Sequence, residues 1–409
     1  MTAQANVRAN ISSKIFILLL ALGLLTLLDH SYLTYEFYNL NSGMGSGGGI
    51  CNISTKFNCD VVAASSYAKM SGIPMALLGL ITQLVLLILL LAGQSGLTQN
   101  PSQTRRYFFW GTAFVALISI VMGSISTFKL GTYCLFCMGA YLLSFLSVIA
   151  AWFYQEKRNL GSSLGDDLRD LFTTSRWVLI LAILIPVCGI VANGVIGSSY
   201  DLNKMEPMIR ANIEAWKTAP EQTFDLSRGL VLQNGSQTPL MTIVEFADFR
   251  CPHCRLAYPG LHAFTQSHPD VKLIFKSFPL DGTCNKALTR TGDGLTCKLA
   301  FATFCAQETA QKGWEAHHWI YDRQEEFQSV TDFPDKLHQL SQDLGLNEEK
   351  MNTCINSDAT TQKIMSMAAE GANAKIEGTP TIFINNKLYA EAQFLPFLDE
   401  LYQELKVGK

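Results

Sequence analysis

Charge is what this chain has least of. Only 16% of its 409 residues are Asp, Glu, Lys or Arg, against roughly 25% in an ordinary soluble protein, so part of it has to face lipid. The net charge of −3 leaves no basic excess, and no lysine- or arginine-rich block interrupts the sequence, which argues against nucleic acid as a partner. The first apolar run lacks a small-residue cleavage site; it ends in Asp29-His30-Ser31-Tyr32 and reads as a retained anchor. No second ligand pair follows the soluble Cys-x-x-C at zinc-ribbon spacing, so no metal is expected.

Cysteine, by contrast, is plentiful. Eleven of them, many closely spaced, point to an oxidising compartment outside the cytoplasm. Three pairs stand out: Cys51 with Cys59, Cys134 with Cys137, and Cys251 with Cys254. The second pair is embedded in apolar sequence, and the third follows a strand-like run. Cys188 has no evident partner and is expected to be a small buried residue.

Apolar stretches of about 18 residues or more mark spanning helices. Five are expected, over Ile15 to Tyr35, Pro74 to Ala92, Tyr107 to Phe128, Tyr133 to Phe153 and Trp177 to Ile196. Arg8 and Lys14, Arg105 and Arg106, and Lys157, Arg158, Arg169 and Arg176 flank them on one side, which becomes the cytoplasmic side. The N-terminus is then inside. All three cysteine pairs, and everything after Ile196, lie on the other face. Asp29 and His30 fall near the outer end of the first span and are expected at its interface.

A glycine-rich run from Asn41 to Cys51 reads as a mobile tether for Cys51. Pro74 suits the first position of the second span. The expected domains are a membrane domain over 1–198, a linker over 199–222 with an amphipathic stretch from Met205 to Trp216, and a soluble domain over 223–409.

The membrane half, from about Asn10 to Ile196, resembles the bacterial vitamin K epoxide reductase family. The loop cysteines, Cys59-Asp60-Val61-Val62 with Ser65, Gly72-Ile73-Pro74, and Cys134-x-x-Cys137 followed by Tyr141 carry the resemblance. It implies a four-helix bundle, here with a fifth span, around a quinone, ubiquinone or menaquinone. Cys137 would stand next to the quinone, Cys134 would exchange with the loop pair, and Ser65 and Tyr141 would line the pocket.

In the second half, Thr242 to Phe249 has a buried-strand pattern and Pro252 sits in the first turn of a helix, placing Cys251 at a helix N-terminus. Unpaired N–H groups there stabilise a thiolate, and His253 is expected to add to the effect. Cys251 is then the exposed nucleophile and Cys254 the buried resolving thiol. Far along the chain, Thr379-Pro380 leads a strand, followed by a hairpin from Lys387 to Ala390 and a last helix from Gln393 to Leu405.

This order resembles the Dsb-type periplasmic thiol oxidases, a thioredoxin fold with a helical insertion, over about Thr223 to Lys409. The resemblance implies a cis Pro380 beside the cysteines, a Thr379 backbone that pairs with substrate, and Glu245 as a buried carboxylate that moves the proton of the resolving thiol. Cys284, Cys297, Cys305 and Cys354 are expected to form two structural disulfides, Cys284 with Cys297 and Cys305 with Cys354 favoured among three connectivities. His317-His318 is expected on a surface.

Together the halves imply a multi-pass enzyme of the inner membrane that makes protein disulfides. Reduced periplasmic or secreted proteins would give electrons to Cys251-Cys254, and the membrane half would pass them to the lipid-borne quinone pool. A membrane-anchored disulfide isomerase or reductase is the nearest alternative, followed by epoxide reduction and a non-enzymatic chaperone.

Overall fold

The computed structural model describes residues 2–42, 51, 57–95, 98–155, 164–200, 202–233, 235, 238–327 and 329–407. The glycine-rich run after Ser42 lies outside the described residues, as do Lys56, Lys157 and Arg158. The chain forms two compact units, the main division falling after Asn203, and each is taken by itself.

The first unit is helical. In order it contains α1 (Thr2–Asn41), α2 (Cys59–Ala64), a small hairpin of β1 (Lys69–Met70) and β2 (Ile73–Pro74), then α3 (Met75–Ser95), α4 (Pro101–Ile125), α5 (Leu135–Tyr154), α6 (Leu164–Thr173) and α7 (Arg176–Ser199). Among the described residues, five segments are long and apolar enough to cross a membrane: Ser13–Asn41, Met75–Ser95, Pro101–Leu130, Leu135–Tyr154 and Arg176–Ser199. Their ends follow from local chemistry. Asn100 caps α4 by accepting the Gln103 N–H, with Pro101 at the first turn. Pro74 ends β2 opposite Lys69, and α3 begins at Met75. Gly72, at φ +81°, makes the hairpin's reversal where a side chain would be strained.

Leu28, Phe114, Leu142 and Ile183 face outward, the apolar exterior that lipid requires. Cys188 is exposed on α7 as well, which corrects its expected burial: α7 keeps little but Gly189 and Gly197 inside. On α6 the polarity runs the other way. Asp167 turns inward to pair with Arg106 at 2.5 Å, both buried, and Asp170 accepts the Tyr107 hydroxyl at 2.7 Å. The outward residues of α6 include Leu168 and Phe172.

The second unit is built on a five-stranded sheet of β3 (Leu230–Gln233), β4 (Met241–Ala247), β5 (Val271–Ser277), β6 (Thr381–Ile384) and β7 (Lys387–Leu388), in the order β3-β5-β4-β6-β7. β4 and β5 pair in parallel and the other neighbours antiparallel. β4 is buried along almost its whole length, as its near-continuous apolar run requires of a central strand. Asn385 and Asn386, at φ +47° and +67°, close the two-residue turn from β6 to β7, a conformation asparagine tolerates.

Helix α8 (Leu202–Thr218) precedes the sheet, α9 (Pro252–Ser267) joins β4 to β5, and α15 (Leu395–Val407) closes the chain. Between β5 and β6 come α10 (Leu295–Ala310), α11 (Gly313–Asp322), α12 (Phe333–Leu344), α13 (Glu348–Ile355) and α14 (Asp358–Asn373). This is a thioredoxin-like fold with a helical insertion. Disulfides join Cys284 to Cys297 and Cys305 to Cys354. The segment expected as a swinging linker is instead tied down within this unit: the Trp216 indole donates to the Ile384 carbonyl at 2.9 Å and Asn212 to the Ala390 carbonyl at 3.2 Å. Ile209 and Ile213 on the same helix are buried.

Candidate active site: two thiol centres

Cys134 is the N-cap of α5, its Sγ accepting the Cys137 N–H at 3.1 Å. The first sulfur of this Cys-x-x-C thus folds back over the first turn of its own helix. Cys59 begins α2, capped by Asn58, whose side chain accepts the Val61 N–H. The backbone bond from Asn58 N–H to the Tyr133 carbonyl, 3.0 Å, brings the two helix starts together. Cys59 Sγ then lies 3.1 Å from Cys134 Sγ, while Cys51 and Cys59 are joined in a disulfide.

All three sulfurs lie within 4.8 Å of one another and all three residues are buried. Such clustering would suit a soft metal, but two of the sulfurs share a bond and have no thiolate to offer. What the arrangement suits is exchange, which needs a thiol beside a disulfide.

Below this centre is a cavity of about 450 Å³, within the usual range for a small-molecule site, lined by Ser65, Cys134, Cys137, Met138, Tyr141 and Phe145 among others. Ser65 and Tyr141 thus share one wall system with both cysteines. Ser65 donates its hydroxyl to the Val62 carbonyl at 2.7 Å. A mostly apolar chamber with a phenol, a serine and a thiol at its edge fits a quinone ring: flat, apolar, with two acceptor oxygens.

Asp29 and His30 belong near this centre rather than at an interface. Their side chains are only 12% and 15% exposed. The His30 ring fills the space beside Gly79 on α3, where a Cβ would lie 2.1 Å from His30 Cδ2, and Asp29 Oδ1 lies 3.8 Å from where a Cβ of Gly139 on α5 would be. Gly79 makes the room for the His30 ring, and α1 runs on to Asn41, past the expected end of the span at Tyr35.

The second centre sits at the end of β4. Cys251 is the N-cap of α9 with Pro252 in the first turn, and its Sγ lies 3.2 Å from the carbonyl oxygen of Thr379, which precedes the cis Pro380. The Cys251 thiol is lowered to about 6: the Cys254 thiol donates toward it, and the Thr379 side chain and the backbone N–H groups of Cys254 and His253 outweigh the opposing effect of burial. The expected help from His253 therefore comes through its backbone amide. Its side chain is exposed.

Cys254 is fully buried, and burial, its bond to Cys251 and the nearby charges of Cys251 and Glu245 push its thiol well up. Glu245, 2% exposed inside β4, is raised to about 8 by burial and by the Cys251 charge. It is a protonated carboxylic acid at neutral pH.

Three features of this centre had little sequence signal. Asp248, 2% exposed, accepts the Arg250 N–H at 2.7 Å and the Leu280 N–H at 2.6 Å; an acid at the end of a buried strand was the hint. Gln324 donates to the carbonyls of Phe249 at 2.8 Å and Cys251 at 3.0 Å from far along the chain, where nothing local marks it. His317 is buried, not surface: it packs among the rings of Phe249, Phe275, Trp314 and Tyr321, with His318 against Tyr258 and His262. Neither ring nitrogen of His317 has a hydrogen-bond partner among the described residues. Burial lowers His262 and His317 well below the usual imidazole range and His318 to about 4.

Residues 17–152 match the vitamin K epoxide reductase family, and residues 242–403 match the DSBA-like thioredoxin domain. Among curated proteins, Na(+)/H(+) antiporter NhaA 3 of Salinispora tropica is 23% identical over 155 residues, 37% of this chain and 21% of the antiporter. The chain thus spans about a fifth of that relative's length. Among solved structures, oxidised BdbD from Bacillus subtilis is 20% identical over 46% of this chain and 98% of its own, with a TM-score of 0.38. Wolbachia pipientis alpha-DsbA1 is 19% identical over 45% and 96%, with a TM-score of 0.37.

Proposed function

We propose that this chain, in which a vitamin K epoxide reductase family domain precedes a DSBA-like thioredoxin domain, is a quinone-linked protein disulfide-generating oxidoreductase. The observation that carries the reading is the 3.1 Å approach of Cys59 to Cys134 beside a cavity that Cys137 lines.

The Cys251-Cys254 disulfide takes two electrons from a reduced substrate protein: a substrate thiolate attacks Cys251, and a second substrate thiolate displaces it, leaving substrate disulfide and the Cys251-Cys254 dithiol. A thiolate stabilised to about 6 is a good leaving group. Thr379, whose carbonyl already faces Cys251, offers backbone to an extended substrate chain. Glu245 holds a proton that the resolving thiol exchanges.

Cys251 thiolate then attacks the Cys51-Cys59 disulfide at Cys51, since Cys59 is the sulfur turned to Cys134. Cys254 closes the ring, and the freed Cys59 thiolate attacks Cys134 in the Cys134-Cys137 disulfide. Cys51 resolves that link, leaving Cys134 and Cys137 as dithiol. Cys134 and Cys137 would then return to the disulfide, giving up two electrons and two protons; Cys137, Ser65 and Tyr141 line the cavity that would hold a quinone, and that quinone would supply the sink. In this reading, which the basic flanks of the spans support, these pairs face the extracytoplasmic side of an inner membrane.

The test is the full chain in vesicles with quinone and a reduced substrate protein. One quinol per substrate disulfide is expected, and quinone that stays oxidised while substrate is present ends the proposal.

A further inference from the structure

Resting on Cys251 and Cys254 as the exchanging pair, we propose that Asp248 is a positioning residue: its buried carboxylate fixes the turn that carries Cys251 and locks that turn to the loop closed by the Cys284–Cys297 disulfide.

Every polar group of Asp248 is engaged. Oδ1 accepts the Arg250 N–H at 2.7 Å; Oδ2 accepts the Leu280 N–H at 2.6 Å and the Thr296 hydroxyl at 2.7 Å. Its carbonyl accepts the Cys251 N–H at 3.1 Å and the Tyr321 hydroxyl at 3.2 Å, and its backbone also hydrogen-bonds Cys254. One residue therefore touches both cysteines through the main chain and the residue between them and itself through the side chain.

The other side-chain partners lie at the two arms of one loop. Leu280 opens the segment that carries Cys284, and Thr296 sits beside Cys297 in the first turn of α10. Within that loop Asp281 repeats the device, accepting the N–H groups of Thr283, Gly292 and Gly294. The disulfide and these two acids make the loop a fixed abutment, and Asp248 transmits its position to the turn. A thiolate held by helix N–H groups needs those groups pinned.

The residue must be a carboxylate for this. Three donors converge on two acceptor oxygens, and an asparagine, with one oxygen and one NH2, would leave a buried donor facing a donor.

The test is the pH dependence of Cys251 alkylation, read peptide by peptide, in the full chain with only the Cys251-Cys254 pair reduced. In Asp248→Asn the midpoint should move up from about 6 by about one unit, a tenfold loss of thiolate at low pH. Thr296→Val, which removes one donor and no charge, should move it the same way by less. The sign decides. Were Asp248 felt only through its charge, the asparagine would lower the midpoint; a fall or no change in Asp248→Asn overturns the proposal. If that variant does not fold, Thr296→Val decides alone, a rise supporting and anything else overturning. The measurement involves neither quinone nor substrate protein, so a shift in a chain that passes no electrons to quinone spares this inference and sinks the relay. A working relay with no shift does the reverse.

Discussion

Cys59 Sγ stands 3.1 Å from Cys134 Sγ, so of the two loop cysteines it is Cys59 that lies against Cys134, and the proposed relay assigns Cys51 to the exchange with Cys251. Cys51→Ser should convert Cys59 into a free thiol trapped as a Cys59–Cys134 disulfide, seen by non-reducing peptide mapping. Cys59→Ser should give no Cys51–Cys134 counterpart. In Cys254→Ala, the mixed disulfide of Cys251 should map to Cys51; a link to Cys59 instead would reverse the assignment.

Cys251 should alkylate with a midpoint near pH 6 and Cys254 only in strongly alkaline solution, because one thiol is lowered to about 6 and the other pushed well above its usual value. The disulfide between them is correspondingly easy to reduce. Thr379→Ala, which removes a side chain that helps lower the thiol, should raise this midpoint as well as slow the reaction with substrate protein.

Two buried groups should make the stability of the second unit depend on pH in opposite senses, over windows that overlap between about pH 4.5 and 6.5. His318, lowered from 6.5 to about 4 by burial, is neutral when folded and protonated when unfolded below 6.5. The unfolded state then binds more protons, and stability drops as pH falls from about 6.5 towards 4, by up to about 3 kcal/mol for this residue. His317→Phe, which keeps a ring among rings, should flatten that acid limb in melting curves of the full chain.

Glu245 works the other way. Raised to about 8, it is protonated when folded and ionised when unfolded between 4.5 and 8, so its contribution is whole below 4.5 and lost as pH rises through 8. Glu245→Gln should flatten the decline between about pH 4.5 and 8. If the acid also shuttles the Cys254 proton, the same change should slow substrate oxidation by ~100-fold, seen in stopped-flow traces.

Tyr141→Phe should raise KM for quinone by about tenfold, the loss of roughly one hydrogen bond, and leave Cys59–Cys134 trapping untouched. A fall in trapping would mean that Tyr141 shapes the thiol centre rather than the cavity it lines.

What was legible was what spacing dictates. Pairs of cysteines three residues apart at helix starts, a Thr-Pro before a strand, and apolar runs of membrane length depend on local periodicity, and local periodicity is written in order along the chain. Cys59 over Cys51, Gln324 on the Cys251 carbonyl and the inward turn of His317 depend on pairings between distant segments. His317-His318 reads equally as a solvated pair until Phe249 and Phe275 are seen to surround it. The stretch expected as a linker has the same limit: its amphipathic pattern is written locally, whereas the bonds of Asn212 and Trp216 to Ala390 and Ile384 join distant segments.

The sulfur of Cys134 does double duty, closing the first turn of α5 as well as meeting Cys59. Whenever that atom enters a covalent bond it is a poorer acceptor for the Cys137 amide, and the start of the helix loses its clasp. The bonding of Cys134 therefore bears directly on the first turn of α5, which contributes Cys137 and Met138 to the wall of the neighbouring cavity.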